Sequence, residues 1–168
     1  TVVLVARNQQ ALQQVEREIT NAGGRAMVVP ADVADASHMQ RVAQTAIQRF
    51  GHIDTWVNNA AVTVYGRFED TTPEEFKRVL DVNVMGHVHG ARAALPYLRA
   101  SGGTLIGVGA AVSQVPMPLM AAYVASQHAL KGLYDTLRIE QQHDRTGVQV
   151  SLLMPDSVNT PFFEHAVT

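Results

Sequence analysis

Thr1-Val2-Val3-Leu4-Val5-Ala6 opens the chain as an unbroken, largely β-branched apolar run, the pattern of a strand buried on both faces. From Asn8, a good helix N-cap, Leu12, Val15, Ile19 and Ala22 recur at helical spacing until Gly23-Gly24, and Ala26-Met27-Val28-Val29 resumes strand character. Met39, Val42, Ala43, Ala46, Ile47 and Phe50 make a second helical stripe, closed by Gly51, ahead of a short strand at Ile53-Asp54-Thr55-Trp56-Val57. Thr72-Pro73-Glu74-Glu75 is a capping box with proline at the first helical position, and it predicts one long helix running toward Arg99. Gly102-Gly103 ends it. Residues 104–108 then read as strand, 121–142 as a long helix and 148–154 as a last strand before Pro155. Alternation of this kind, with strands apolar on both faces, predicts one domain over residues 1–168: a doubly wound α/β fold whose parallel sheet is covered by helices on both sides.

Composition narrows the function classes. With 46% apolar and 17% charged residues in 168, the chain can bury a real core. Thirteen Lys+Arg against fifteen Asp+Glu leave a net charge of −2, so nothing here resembles the basic surface of a nucleic-acid binder. There is no Cys, which excludes a disulfide framework, a thiolate zinc site and a cysteine nucleophile together. A disulfide-free composition leans cytoplasmic. Apolar stretches such as Leu105 to Val112 fall far short of the roughly 18 residues of a membrane span, and no signal segment opens the chain.

In doubly wound sheets, ligands bind beyond the carboxyl ends of the strands. Five polar or small-residue loops follow the predicted strands: Arg7-Asn8, Asp32-Val33, Asn58-Asn59-Ala60-Ala61, Gly109-Ala110-Ala111 and Pro155 through Thr160. Each alone also reads as local chemistry, with Arg7 a surface charge, Asp32 a helix cap and Asn58-Asn59 a turn. Their joint placement at one sheet edge is the stronger signal.

These segments, with Asp81-Val82-Asn83-Val84-Met85-Gly86 and Ala122-Tyr123-Val124-Ala125-Ser126 and with forty residues from Asn83 to Tyr123, resemble the short-chain dehydrogenase/reductase family over essentially the whole chain. The resemblance implies an oxidoreductase that interconverts alcohol and carbonyl groups by hydride transfer with a nicotinamide cofactor. It places Asp32 and Val33 at the adenine, Asn58 and Ala60 along the adenosine ribose, and Val158 and Thr160 near the nicotinamide. Tyr123 is similar to the catalytic Tyr that exchanges a proton with the substrate oxygen, and Asn83 to the proton-relay Asn whose side chain holds a buried water. A polar residue bonded within a long helix is the other reading of Asn83. Dinucleotide folds that select NAD place an acid after the corresponding strand, whereas an Arg accommodates a 2′-phosphate. With Ala6-Arg7 and no acid there, NADP is expected over NAD.

Three departures accompany the match. Gln127 stands where the family carries Lys, and Ala110 where it carries Ser. A Tyr titrates near pH ~10 unless a neighbouring cation favours the phenolate. The Gln127 amide can still bond the nicotinamide ribose but brings no charge. Losing a placed hydroxyl donor such as the Ser commonly costs ~10²–10³ in rate. Lys131 lies about 12 Å from Tyr123 along a helix axis, Ser113 would need a shifted loop to replace Ala110, and His128 reads as a packing or surface residue. His87 and His89, two apart on a helix, make a poor metal pair. The third departure is the family's first βα unit with its Gly-rich turn, which residues 1–168 do not contain; the sheet's central strand would then be missing and its neighbours' apolar edges exposed. A catalytically impaired oxidoreductase of small alcohol or carbonyl substrates follows, with a non-catalytic binding or regulatory protein as the alternative. The family's pairing of the two long helices with symmetry mates implies a homo-dimer or homo-tetramer.

Overall fold

The structure is a computed structural model and describes residues 1–156 and 158. Strand β1 (Val2–Ala6) leads into α1 (Gln9–Asn21), whose Asn8 cap accepts a hydrogen bond from the Ala11 N–H. Then come β2 (Ala26–Pro30), α2 (Ala36–Phe50) and β3 (Thr55–Asn58). The cap of α2 is Asp35, whose carboxylate accepts from the Ser37 and His38 N–H groups, so Asp32 is not the cap. Gly51 ends α2 at φ 82°, a left-handed turn that glycine adopts without steric cost.

The expected single helix from Thr72 to Arg99 is three pieces. The capping box forms as read, Thr72 and Glu75 exchanging hydrogen bonds, and starts α3 (Pro73–Leu80). A π-helical turn at Asp81–Met85 interrupts it before α4 (Gly86–Ser101). The inserted turn carries Asn83 at its centre. Strand β4 (Thr104–Val108), α5 (Ala121–His143) and β5 (Gln149–Leu153) complete the order.

All strand pairs are parallel, but the sheet is in two parts: β1 with β2, and β3-β4-β5 with β4 central. Among the described residues β1 has no partner on the edge away from β2, nor β3 away from β4. Val2 and Val57 on these two strands are about half exposed. Between the two parts lies a cleft of about 940 Å³ with walls from β1 and β3 and a floor that includes Met39, Val42 and Ala46 of α2. The core sits beneath β3–β5, where Leu98, Leu105, Leu130 and Tyr134 have no solvent exposure. Burying each such leucine contributes roughly 2–3 kcal/mol. Backbone and ring meet closely there: a Cβ on Gly107 would collide with the Tyr134 ring.

Candidate functional site

The loops after β1, β2 and β3 open into the same cleft. Arg7, Asp32, Val33, Asn58, Ala60 and Ala61 all line it, so five of the expected cofactor residues are brought together. Burial pushes the Asp32 carboxyl up, but the Ala34 N–H that it accepts at 2.9 Å and the guanidinium of Arg78 at 3.4 Å outweigh this, with Arg7 adding to them. The group is held below its ordinary value and stays anionic. Arg78, on α3, was not visible as a partner in the sequence because 46 residues separate it from Asp32. Val33 is fixed from the other side: His89 Nδ1 lies 3.1 Å from its carbonyl, and a Cβ on Gly86 would press into its side chain at 2.8 Å.

Asn58, at the cleft wall, holds its side chain in a buried hydrogen-bond network. Its Oδ1 accepts from Trp56 Nε1 at 2.7 Å, and its Nδ2 donates to the His87 carbonyl and to the Tyr134 hydroxyl at 2.9 Å. Tyr134 is in turn 3.1 Å from His87 Nδ1. Burial lowers the His87 pKa to about 4 and raises that of Tyr134 to about 12, the latter against the opposing bond from Asn58. Both are neutral at pH 7. His87 and His89 therefore have separate partners, and no group of three or more potential metal ligands exists among the described residues.

The second half of the site surrounds the start of α5. Asn83, fully buried, accepts from the Val62 N–H at 2.8 Å and donates to the Val62 carbonyl and to Ser126 Oγ, and Ser126 donates to the Tyr123 carbonyl at 2.6 Å. The π turn, the loop after β3 and the first turns of α5 are thus tied by one amide. Its side chain is a clamp in this geometry. Ser126, one turn beyond Tyr123, lies inside the motif run and could have been found by its i+3 spacing.

Tyr123 is 9% exposed, and burial pushes its phenol above the ordinary value. Gln127 is 1% exposed and neutral. Among the described residues its Oε1 and the hydroxyl of Ser113, also 1% exposed, have no hydrogen-bond partner, and they lie 3.2 and 3.3 Å from the point a Cβ on Gly109 would occupy. Ser113 Oγ and Gln127 Oε1 therefore both face the Gly109 backbone. Ala110 begins the tight turn that carries Ser113 there, with the Ser113 N–H bonded to the Ala110 carbonyl. Lys131 pairs with Asp135 at 2.7 Å on the exposed side of α5, and His128 Nδ1 bonds the Val124 carbonyl at the surface. Val158 is exposed, and Thr160 lies outside the described residues.

A family model described as short chain dehydrogenase matches residues 1–168. The chain belongs to the short-chain dehydrogenase family. Its relatives include the uncharacterised oxidoreductase YxnA of Bacillus subtilis, 39% identical over 98% of this chain and 47% of YxnA. Dehydrogenase/reductase SDR family member 7B of Bos taurus is 33% identical over 99% of the chain and 53% of its own length. This short-chain dehydrogenase chain thus spans about half the length of those relatives. Among solved structures, a short chain dehydrogenase/reductase from Burkholderia phymatum in complex with NAD superposes with a TM-score of 0.94 at 28% identity, covering 97% of this chain and 59% of the other. An alcohol dehydrogenase from Thermococcus sibiricus complexed with 5-hydroxy-NADP gives 0.90 at 27% identity, covering 99% and 69%. The fold is the family's Rossmann-like α/β architecture, and related structures hold nicotinamide cofactors.

Proposed function

We propose that this chain derives from an NADP-dependent oxidoreductase that interconverts alcohol and carbonyl groups, and that its own catalysis is impaired. The observation that carries this reading is the convergence of Arg7, Asp32, Val33, Asn58 and Ala60 on one cleft. Arg7 supplies a cation suited to a 2′-phosphate, and Asp32, Val33 and Ala60 suit an adenosine. The residues fit that half of the cofactor. When bound, a nicotinamide would supply or accept the hydride. Tyr123 would exchange the proton with the substrate oxygen, and Gln127 would orient a ribose hydroxyl. Asn83 would act through its clamp on α5, with any relay water as a further member. The unpaired edges of β1 and β3 support placing the family's first strand and Gly-rich turn in the cleft between them.

Impairment follows from Tyr123. Burial raises its pKa, and Gln127 offers no charge to oppose that. Missing acid–base function costs about 10²–10⁴ in rate. The same observation favours a second reading, a binding protein without turnover. The test uses a polypeptide in which a Gly-rich βα unit precedes Thr1. Gln127→Lys with Ala110→Ser is expected to raise NADPH-dependent reduction of ketones, aldehydes or diketones by about 10² or more, and adding Tyr123→Phe to abolish the gain. High activity before these changes would refute the impairment. A folded, cofactor-binding double variant inactive on every substrate would support the binding-protein reading.

A further inference from the structure

Beyond the end of β2 the chain leaves its ladder, and the backbone groups of Asp32 and Val33 must find partners elsewhere. Two histidines supply them. The Asp32 N–H donates to His38 Nδ1 at 3.1 Å, on the first turn of α2, and the Val33 carbonyl lies 3.1 Å from His89 Nδ1 on α4. Both imidazoles are half-buried. The two bonds demand opposite protonation of the same ring atom. A backbone N–H can only donate, so His38 Nδ1 is the bare, accepting nitrogen and the ring proton sits on Nε2, 3.8 Å from the Asp35 carboxylate. A carbonyl can only accept, so His89 Nδ1 carries a proton. The tautomers are assigned here from the partners.

Proton uptake therefore breaks one bond and spares the other. A charged imidazole has an N–H at both nitrogens. At His38 the new proton would face the Asp32 N–H; at His89 the donor to Val33 is unchanged. The charged groups about His38 are Asp35 at the start of α2 and Arg41 one turn further on. From other elements come the Asp32 carboxylate, on which Arg78 of α3 and Arg7 after β1 act, and His89 on the α4 side of the loop. Asp32 and Val33 both line the cleft. We propose that His38 and His89 are positioning residues that clamp this stretch of cleft wall, and that protonation of His38 releases its Asp32 end, so that affinity for an adenosine falls as pH is lowered. That the ligand is an adenosine rests on the reading above; the clamp rests on the two bonds.

The test follows the 168-residue chain by NMR between about pH 8 and about pH 5, the interval in which histidines change charge. The His38 ring signals, the Asp32 backbone N–H and the affinity for adenosine, which stays uncharged throughout, are read in the same samples. The Asp32 N–H should shift along the His38 titration curve, and adenosine binding should weaken about fivefold in step, the size of one net hydrogen bond. His38→Asn sets an amide oxygen near the place of Nδ1 and does not titrate; it should rescue affinity at low pH and give a flat profile. His38→Leu has no acceptor and should bind weakly at every pH. His89→Leu should weaken binding throughout and keep the parent's pH response. An Asp32 N–H that ignores the His38 titration overturns the clamp, and so does a pH response that survives in His38→Asn. Should His38→Leu unfold, the parent and His38→Asn decide between them. An Asp32 N–H that follows His38 without any adenosine binding counts against the cofactor reading and leaves the clamp standing. Adenosine binding that is independent of pH overturns the proposal and leaves that reading intact.

Discussion

Burial of His87 against Tyr134 keeps its imidazole neutral, and this makes stability depend on pH. The folded pKa is about 4, whereas an unfolded His titrates near 6.5. Between these values the unfolded chain takes up the proton that the folded chain refuses. Stability is therefore complete above about pH 6.5 and falls as pH drops toward about 4, by roughly 3 kcal/mol in all. Denaturant titrations at pH 7.5 and 4.5 should show the loss, and His87→Gln should remove most of the slope. An unchanged slope in that variant would assign the effect to other groups. Asp32 acts in a lower window: its carboxyl is held below the ordinary value, so its contribution is present above about pH 4 and lost only as pH falls through the folded value. The two can be separated by where the curve bends.

At the scale of elements, the π turn at Asp81–Met85 is the device that joins the loop after β3 to the first turns of α5. A π turn inside a helix is rare and clusters at functional sites, and here Asn83 gives it a reason. The amide satisfies both backbone groups of Val62 and reaches Ser126, so a loop without its own ladder is fixed to two helices. Asn83→Ala removes the side chain that pairs the half-buried Val62 N–H and carbonyl and reaches Ser126, which should cost about 2–4 kcal/mol. The urea midpoint measures it, with Val79→Ala in the neighbouring helix as a packing control. A loss below about 1 kcal/mol would mean that water replaces the amide and the clamp is dispensable.

For the whole molecule, the divided sheet sets the solution behaviour. Among the described residues the cleft-facing edges of β1 and β3 are unpaired, a geometry that favours edge-to-edge association, while Ile139 on α5 is 66% exposed. Pairing through the long helices would bury it. We expect light scattering at micromolar concentration to find a homo-dimer or homo-tetramer, and Ile139→Glu to convert it to monomer. A monomer in the parent refutes helix-mediated assembly; an assembly indifferent to Ile139→Glu assigns it to the strand edges.

The order of strands and helices was legible in the chain because apolar period, caps and glycine stops are local properties. Asn8, the Thr72–Glu75 box, Gly51 and Gly102 act where they stand. The family followed from Asn83, Tyr123 and the loops between, since their spacing is a linear quantity, and so did the replacements at Ala110 and Gln127. What tertiary structure decided was each group's partner. Arg78 meets Asp32 across 46 residues, Tyr134 meets Asn58 across 76, and no periodicity encodes which distant side chain completes a hydrogen bond. The continuous helix expected after Thr72 was wrong for the same reason: Asn83 has local helical neighbours, but its bonds to Val62 come from another loop and outweigh them. Burial likewise belongs to the folded state, so the neutral Gln127 could be read from the sequence, but its enclosure and the burial that raises the Tyr123 pKa could not.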